Sequence, residues 1–371
     1  MTTTATAGHD AVAIARNFSL SGEVLTATPY GSGHINDTYK VEVRPAGGPR
    51  RFVLQRINHH VFRQPDALMA NVERVCAHAH AKLRQAGTPD ADRRTLRLVP
   101  TLSGQAWHID GSGNRWRCYH FIEGATGHDI VRSPQQAYAA AKAFGAFQSL
   151  LADLPGARLN ETIPDFHHTP ARFARFQHAL AKDPHGRAAS SVPEIAFALA
   201  RAHEVAVVVD ALRAGTLPER VTHNDTKLNN VLLDDVTQEG VCVIDLDTVM
   251  PGSVLYDFGD LVRTSTSPAA EDETDLSKVR MQLPMFEALV KGYLASASGF
   301  LTPKEKELLP FAGKLISFEI GLRFLTDWLE GDTYFKIRRP AHNLDRARAQ
   351  FKLVESIEAQ LPAMQALVTR P

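Results

Sequence analysis

A group of acidic and amide side chains lies within residues 221–247. Asp225 is followed by Asn230 five positions later, and Asp245 lies fifteen positions beyond Asn230. An Asp on a rigid loop can accept the proton of an attacking hydroxyl group, and amide and carboxylate oxygens are the ligands that Mg²⁺ prefers. The order of these residues therefore predicts phosphoryl transfer, with Asp225 as catalytic base and Asn230 and Asp245 as metal ligands.

A predicted β-hairpin explains how residues this far apart in sequence meet. Residues 231–233 and 241–246 are apolar runs separated by a polar turn, which is the pattern of a hairpin. Antiparallel pairing brings the start of the first strand beside the end of the second, so Asn230 and Asp245 are expected to lie close together. Each residue alone is equally compatible with a turn or capping role, but the order and the strand context together favour a metal site.

Two neighbours of this motif are predicted to brace it without reacting. His223 lies two residues before Asp225 and is expected to hold the loop backbone. Asp257-Phe258-Gly259 has the spelling of a kinase metal motif, but it lies 32 residues after Asp225, and Asp245 already fills the metal position. We therefore expect Asp257 to brace the loop by hydrogen bonding.

The elements that must position these residues change in type near residue 124. Before it, short alternating runs predict a small antiparallel sheet, and the apolar periodicity of Pro65–Gln85 predicts one long helix. The predicted strands are 24–29, 38–43, 51–57, 96–100 and 116–121, and the later predicted helices are 134–151, 170–181, 193–214, 276–295, 303–330 and 340–360. The sequence predicts an α+β fold with a lobe over 1–118, a hinge over 119–124 and a larger helical lobe over 125–371.

The composition argues against several classes of protein. Lys plus Arg and Asp plus Glu number 41 each in the 371 residues, and this balance argues against a nucleic-acid or membrane-surface role. Three widely spaced cysteines argue against a disulfide framework. No apolar run reaches the length of a membrane span, and the first ten residues lack a signal-peptide pattern, which predicts a cytoplasmic protein. The sequence leaves monomer and dimer open.

Several strings resemble a known family. His223-Asn224-Asp225-Thr226-Lys227, followed by Ile244-Asp245 at a strand end, resembles the aminoglycoside phosphotransferase branch of the protein-kinase-like fold. Ile244–Gly252, which reads IDLDTVMPG, is similar to the N-acetylhexosamine 1-kinases, as are Tyr256–Asp260, Leu54–Asn58 and the tail Arg323–Arg348. The resemblance runs through residues 25–350.

This resemblance implies a bilobal protein-kinase-like fold that uses ATP and Mg²⁺. It implies transfer of the γ-phosphate to the C1 hydroxyl of a small-molecule sugar, N-acetylglucosamine or N-acetylgalactosamine. Asp225 would be the base, Asn230 and Asp245 the metal ligands, and Arg323 and Tyr334 the sugar-binding pair.

Nucleotide-binding residues are expected before residue 124. Gly31, Ser32 and Gly33 lie between two predicted strands, where a Gly-rich hairpin can cover phosphates; a Rossmann turn or a Walker loop would require features that this segment lacks. Gln55 stands where protein kinases place a lysine, and Arg56 points to the other face, so the residue that contacts the ATP phosphates stays open. Phe121 and Glu123 belong to the hinge expected to offer backbone groups to adenine, or to an ordinary edge strand.

Further candidates for substrate binding lie on both sides of the motif. His34 and Asn36 either face sugar hydroxyls or end a strand, and Asp247 either contacts substrate or stabilises its loop. Arg323 and Asp327 share a helix face and are alternatively a surface ion pair. Guanidinium donors and aromatic surface together suit a sugar, which favours a sugar contact for Arg323 and Tyr334.

Other acceptors and a non-catalytic role are the alternatives. Kinases of aminoglycosides, choline, homoserine or methylthioribose would share the motif, but a cationic acceptor needs an acidic site, and residues 321–346 are rich in Arg and Lys. A non-catalytic nucleotide-binding scaffold would be expected to lack the base or a metal ligand. The sequence retains all three.

Overall fold

The structure, a computed structural model, describes residues 9–31, 33 and 35–369. These residues form two compact units, the first ending at Ala125 and the second beginning at Thr126. Within the described ranges, none of the helices combines the length and the apolar character needed to cross a membrane.

An antiparallel five-stranded sheet forms the first unit, in the order β1-β2-β3-β5-β4. Its strands are β1 (Glu23–Pro29), β2 (Asp37–Arg44), β3 (Arg50–Arg56), β4 (His108–Ile109) and β5 (Arg115–His120), and its helices are α1 (Ala11–Ala15) and α2 (Pro65–Gln85). Alternate residues of β2 and β3, such as Val41, Val43 and Leu54, are fully buried. This alternation is the period of a sheet with one face on a core.

The prediction of a strand over Leu96–Pro100 is wrong. The segment lies beside β5 but makes only a single bridge with it, at Leu98. Two backbone hydrogen bonds join the segments, from Val99 N to Cys118 O at 2.8 Å and from His120 N to Arg97 O at 3.0 Å. Pro100 has no N–H with which to continue a ladder, which limits the pairing.

Asp110 organises the turn between β4 and β5. Its carboxylate accepts hydrogen bonds from the backbone N–H groups of Ser112 and Asn114, each at 2.9 Å, and from Nε1 of the buried Trp116 at 2.8 Å. Burial raises the pKa of Asp110, but the hydrogen bonds outweigh this effect and lower the pKa from 3.8 to about 2. The ionised carboxylate is therefore part of the folded turn.

Asp110→Ala is expected to lower the free energy of unfolding by about 2 kcal/mol, because the indole N–H of Trp116 loses its acceptor. A pKa lowered by folding stabilises above the unfolded value of 3.8, and that contribution is lost as the pH falls towards about 2. Urea unfolding followed by tryptophan fluorescence should show a smaller loss of stability between neutral and acidic pH in the variant. The exposed Asp210→Ala is the control, and an equal effect in both variants would contradict the assignment.

The second unit is mainly helical. Its helices are α3 (Pro134–Leu151), α4 (Thr169–Lys182), α5 (Val192–Ala200), α6 (Val207–Arg213), α7 (Val254–Ser265), α8 (Leu283–Ala297), α9 (Pro303–Leu329) and α10 (His342–Thr369). Its strands are β6 (Ala125–Gly127), β7 (Arg220–Thr222), β8 (Val231–Asp234), β9 (Gly240–Val243) and β10 (Met250–Gly252). Phe318, Leu322 and Leu325 of α9 join Phe351 and Val354 of α10 in an apolar core.

Two short sheets are enclosed by these helices. One has the order β6-β8-β9, and in the other β7 pairs with β10 in the antiparallel sense. The chain segments 223–230 and 244–249, which follow β7 and β9, lie at the ends of these sheets. This is the region in which the sequence places the reactive residues.

Three helix predictions differ from the structure. The helix predicted over 340–360 continues for nine more residues, to Thr369. The helix predicted over 193–214 is broken into α5, a 3₁₀ turn at Ala202–Glu204 and α6, although residues 200–206 contain neither Gly nor Pro. The helix predicted over 276–295 begins only at Leu283, with Pro284 in its first turn. Proline suits a first turn and not a helix interior, which explains the later start.

Candidate functional site

The loop 223–230 begins with a left-handed residue. Asn224 has φ 65°, a conformation that Asn tolerates better than most residues. Its side chain fixes the turn, because Nδ2 donates to Thr248 O at 2.9 Å and Oδ1 accepts from Thr222 Oγ1 at 3.0 Å. Thr248 Oγ1 in turn donates to His223 O at 2.6 Å. These bonds fix the backbone where the loop leaves β7, and they therefore fix the position of Asp225.

Asp225 lies between a cation and an amide. Lys227 Nζ is 3.0 Å from Asp225 Oδ2, and Asn230 Nδ2 donates to Asp225 O at 2.8 Å and to Oδ2 at 3.2 Å. Burial lowers the pKa of Lys227, but the attraction of Asp225 outweighs burial and raises it overall. The loop thus holds the half-buried carboxylate of Asp225 beside the protonated Lys227. The carboxylate can accept a proton, and the ammonium group can attract an anion bound next to it.

The hairpin brings Asn230 and the residues after β9 together. Val231 pairs with Val243, and Ile244 N donates to Asn230 O at 2.9 Å, so Asn230 and Asp245 lie at the same end. Asn230 donates its Nδ2 group to Asp225, so Asn230 Oδ1 is the side-chain atom that could bind a cation. The described residues contain no group of three or more His, Cys, Asp or Glu that fits a metal. An amide with one carboxylate fits Mg²⁺, which usually keeps water and phosphate oxygens as its other ligands.

Asp257 is a fully buried carboxylate on α7 that faces the start of this loop. Its Oδ2 accepts from His223 N at 2.8 Å and from Gln148 Nε2 at 2.6 Å, and its Oδ1 accepts from Asn224 N at 2.6 Å. Tyr293 donates its hydroxyl to Gln148 Oε1, which fixes that amide. Burial raises the pKa of Asp257, although the hydrogen bonds from the two backbone N–H groups and from Gln148 oppose the rise. The hydrogen bonds support a bracing role for Asp257.

His223 joins the loop to the hairpin. Its Nε2 lies 2.9 Å from Ile244 O, and its Nδ1 accepts from Asp225 N at 3.3 Å. These partners assign the proton to Nε2. Phe144 packs against the ring edge-on at 5.3 Å between centroids. Both ring nitrogens are therefore occupied, which supports a bracing role and leaves no nitrogen for proton transfer.

A second buried brace was not found from the sequence. His167 Nε2 lies 3.2 Å from Asn224 O, and His167 Nδ1 lies 2.8 Å from Glu319 Oε1. Thr169 Oγ1 donates to Glu319 Oε2 at 2.5 Å. Burial raises the pKa of Glu319, but the attraction of His167 and these hydrogen bonds outweigh burial and lower it. His167 and Glu319 are far apart in sequence and belong to no motif, so only the fold connects them.

The tail residues Arg323 and Tyr334 lie close to each other in the second unit. The guanidinium of Arg323 is 6.0 Å from the ring centroid of Tyr334, 5.6 Å from that of Phe335 and 5.7 Å from that of Phe166. Asp327 forms no ion pair with Arg323, because its carboxylate accepts the backbone N–H groups of Tyr334 at 2.8 Å and Phe335 at 2.9 Å. Asp327 therefore shapes the loop that carries the aromatic rings.

A cavity of about 200 Å³ borders the loop 223–230. Its polar lining includes Asp129, Lys227, Asn229, Arg263, Glu271 and Gln350. The side-chain oxygens of Asn229 and Gln350 are buried and have no hydrogen-bond partner in the part of the chain that is described. The volume is below the several hundred Å³ typical of drug-sized ligands, so the cavity suits a small polar molecule.

Comparison with known proteins identifies the family. The sequence matches the model of the phosphotransferase enzyme family over residues 26–290, which is more than half of its length. The chain belongs to the phosphotransferase enzyme family. The predicted membership of the aminoglycoside phosphotransferase superfamily is thereby confirmed.

Solved structures similar to this phosphotransferase show its fold. An aminoglycoside phosphotransferase from Alicyclobacillus acidocaldarius matches with a TM-score of 0.62 and 15% identity, over 98% of this chain and 97% of the other. A microcompartment-associated aminopropanol kinase matches with a TM-score of 0.55 and 15% identity, over 97% of this chain and 99% of the other. Choline kinase from Cryptosporidium parvum matches with a TM-score of 0.53 and 14% identity, over 96% of each chain. The predicted α+β protein-kinase-like fold is confirmed.

In the first unit of the phosphotransferase, the glycines proposed to cover phosphates lie in the turn between β1 and β2. Gly31 has φ 85°, and open space surrounds the position of a Cβ at both Gly31 and Gly33. A strand follows this turn, as expected for a Gly-rich hairpin. The predictions for Ser32 and His34 fall outside the described residues.

Gln55 holds a buried arginine that the sequence analysis did not single out. Gln55 Oε1 accepts from Arg117 Nε at 3.0 Å and from Nη2 at 2.9 Å, while Nε2 donates to Thr38 Oγ1 at 3.0 Å. Arg117 is fully buried. Arg56 pairs with Asp37, from Nε to Oδ2 at 2.7 Å. The predicted nucleotide roles of Gln55 and Arg56 stay predictions.

The predicted hinge residues of the phosphotransferase are tied to other parts of the first unit. Arg51 forms an ion pair with Glu123 and lies over the ring of Phe121 at 4.4 Å. Arg93 donates to Glu123 O and Gly124 O, each at 3.0 Å. These arginines fix the path of the segment proposed to meet adenine.

Two predicted substrate residues have structural contacts. Asn36 Oδ1 accepts from Asn58 N at 2.9 Å. Asp247 is buried, and its carbonyl accepts from Thr162 Oγ1 at 3.0 Å. Asp245 and Asp247 do not continue the strand, because β9 ends at Val243 and a 3₁₀ turn follows. The substrate roles of Asn36 and Asp247 stay predictions.

Proposed function

We propose that this phosphotransferase is an ATP-dependent N-acetylhexosamine 1-kinase. It would phosphorylate the anomeric C1 hydroxyl of N-acetylglucosamine or N-acetylgalactosamine, with the sugar 1-phosphate and ADP as products. The observation that carries the proposal is the arrangement of Asp225 beside Lys227, with Asn230 and Asp245 at one end of the hairpin.

Asp225 is the base in this proposal. Its carboxylate accepts the proton of the C1 hydroxyl as the sugar oxygen bonds to the γ-phosphorus. The bond from that phosphorus to the bridging oxygen breaks, and ADP leaves with the electron pair. Lys227, which stays protonated beside Asp225, neutralises negative charge on the transferred group.

Asn230 Oδ1 and the Asp245 carboxylate are the proposed Mg²⁺ ligands. When bound, Mg²⁺ neutralises the charge of the ATP phosphates and draws electron density from the γ-phosphorus. Gly31, Gly33, Gln55 and Arg56 are the proposed contacts of the first unit to nucleotide, with the backbone around Phe121 and Glu123 for adenine.

Bracing matters because a small displacement of the base from the acceptor hydroxyl lowers the reaction rate strongly. Asp257, His223 and the His167–Glu319 pair each hold backbone atoms within one residue of Asp225. Together they keep its carboxylate at a fixed place before substrate binds.

Arg323, Tyr334, Asn36 and Asp247 are the proposed sugar contacts. Three similar structures are named for an aminoglycoside, aminopropanol and choline, all small molecules with a hydroxyl group, which supports a small-molecule acceptor. The pocket beside Arg323 is lined by three arginines, and this disfavours a cationic acceptor. A non-catalytic nucleotide-binding scaffold is disfavoured because the base and both metal ligands are present.

A coupled ADP-release assay tests the acceptor. We expect turnover with N-acetylglucosamine or N-acetylgalactosamine and none above background with choline or aminoglycosides. The 1-methyl glycoside of the active sugar is the matched control, because it lacks only the reactive hydroxyl. Turnover of choline with no turnover of any reducing sugar would overturn the proposal, and a product phosphate at C6 by ³¹P NMR would overturn the regiochemistry.

A further inference from the structure

A small basic pocket lies in the second unit between α4, α9 and the loop after α9. Its volume is about 30 Å³, so it has room for one small chemical group and not for a sugar ring. It is lined by Arg172, Arg175, Arg323, Asp327, Glu330 and the aromatic residues Tyr334 and Phe335. We call it the arginine pocket.

The two carboxylates of the arginine pocket are already engaged. Glu330 pairs with Arg175, from Oε2 to Nη2 at 2.6 Å. Asp327 accepts the backbone N–H groups of Thr333, Tyr334 and Phe335, and Asn343 Nδ2 at 2.8 Å. Neither carboxylate is therefore turned towards Arg172 or Arg323.

The guanidinium groups of Arg172 and Arg323 consequently form no ion pair with the described residues. Arg172 Nη2 donates to Phe166 O at 3.0 Å, but its Nε is buried and has no hydrogen-bond partner there. Arg323 faces aromatic rings and forms no hydrogen bond or ion pair with the described residues. Glu319 attracts both cations, but its oxygens are held by His167 and Thr169.

Two guanidinium groups without an ion-pair partner repel each other in a partly buried pocket. Burial and the charge of Arg323 both lower the pKa of Arg172. Guanidinium groups bind carboxylate, sulfate and phosphate through paired N–H donors. An oxyanion in the pocket would accept N–H groups of the two guanidinium groups and relieve the repulsion.

The arginine pocket is connected to the base by short contacts. Arg172 holds the carbonyl of Phe166, and the next residue, His167, contacts Asn224 O. Asn224 precedes Asp225. A group held in this pocket is thus attached through two hydrogen bonds to the loop that carries the base.

We propose that the arginine pocket binds an anionic substituent of the acceptor. This inference rests on the proposed function, and it narrows the acceptor to a hexosamine or related sugar that carries a carboxylate or another oxyanion group. Arg172 is then a specificity-determining residue.

Matched neutral and acidic sugars with a free C1 hydroxyl test the inference. N-acetylglucosamine is compared with its 6-sulfate and with its 3-O-lactyl ether, and glucose with glucuronic acid. We expect kcat/KM to favour at least one acidic member about 10-fold or more, as expected for a charge-assisted bidentate contact. The acidic sugar that is preferred shows whether the pocket takes a carboxylate at C6, a sulfate at C6 or a lactyl carboxylate at C3.

Arg172→Gln is expected to reduce this preference about 10-fold through KM, and Arg172→Lys to restore part of it. Arg201→Gln is the matched control, because Arg201 is a half-buried guanidinium of the same unit that pairs with Glu358 at 2.6 Å. Equal preference in wild type and Arg172→Gln would overturn the inference. Thermal melting shows whether Arg172→Gln is folded. If it is not, Arg172→Lys replaces it as the test variant.

A non-reacting probe separates the inference from the proposed function. Methyl β-D-glucuronide has no C1 hydroxyl, so its binding by calorimetry needs no catalysis. Binding that weakens about 10-fold in Arg172→Gln, without turnover of any sugar, would sustain the arginine pocket and reject the kinase proposal. Turnover of neutral and acidic sugars at equal efficiency, without binding of the probe, would reject the arginine pocket and leave the kinase proposal standing.

Discussion

Asp225→Asn is expected to lower kcat for sugar phosphorylation by about 10²- to 10⁴-fold, the range over which a positioned general base contributes. An amide has nearly the same shape as the carboxylate but cannot take the proton of the acceptor hydroxyl. Lys227, at 3.0 Å, also loses its anionic partner. The coupled ADP-release assay measures the change at saturating sugar and ATP.

The same variant should keep most of its affinity for ADP with Mg²⁺. The proposed metal ligands, Asn230 Oδ1 and Asp245, are unchanged, and calorimetric titration with ADP measures the affinity directly. Asp235→Asn is the matched control, since Asp235 is an exposed carboxylate of the same hairpin and should leave kcat unaffected. Near-normal turnover in Asp225→Asn would show that another group takes the proton.

The local features of the catalytic region were predictable from the sequence. The apolar runs at 231–233 and 241–246, with a polar turn between them, correspond to β8 and β9, and their pairing follows from the antiparallel rule. The bounds of α2 are the predicted Pro65–Gln85, because its periodicity is regular and Pro65 marks its start. Such features depend on residues that are neighbours along the chain.

Features that depend on distant residues were not predictable. The contact of Gln55 with Arg117 follows from the register between β3 and β5, which no turn in the sequence specifies. His167 meets Glu319 only because α9 passes the start of α4. The arginine pocket similarly combines residues of α4 and α9 with the loop that Asp327 shapes. Helix and strand patterns contain no information on these approaches.

The direction of Asp247 shows a different limit. Strand alternation would place Asp245 and Asp247 on one face, but Asp245 has φ 60° and ends the extended backbone. An Asp tolerates this left-handed conformation, yet nothing in the sequence distinguishes it from an Asp within a strand. The chain therefore leaves the sheet at Val243, three residues earlier than the predicted run over 241–246 indicates.

Asp257→Asn is expected to reduce both stability and turnover, because neither orientation of an amide suits its surroundings. Oδ1 accepts from Asn224 N, and Oδ2 accepts from His223 N and Gln148 Nε2. An NH₂ group at either position faces a donor. A rotated Gln148 amide would still leave either His223 N or Asn224 N without an acceptor. At least one buried N–H therefore loses its acceptor, at about 1–3 kcal/mol for each such group.

Urea unfolding should accordingly show a loss of about 3 kcal/mol in the free energy of unfolding. Glu358→Gln is the control for stability alone, because Glu358 bridges Arg201 and Lys314 and has no recorded contact with residues 222–230. If both variants are compared where each is fully folded, only Asp257→Asn should lose kcat, by about 10²-fold, since a displaced base is costly. A variant as unstable as this one but with normal kcat would show that the backbone of residues 223 and 224 needs no brace for catalysis.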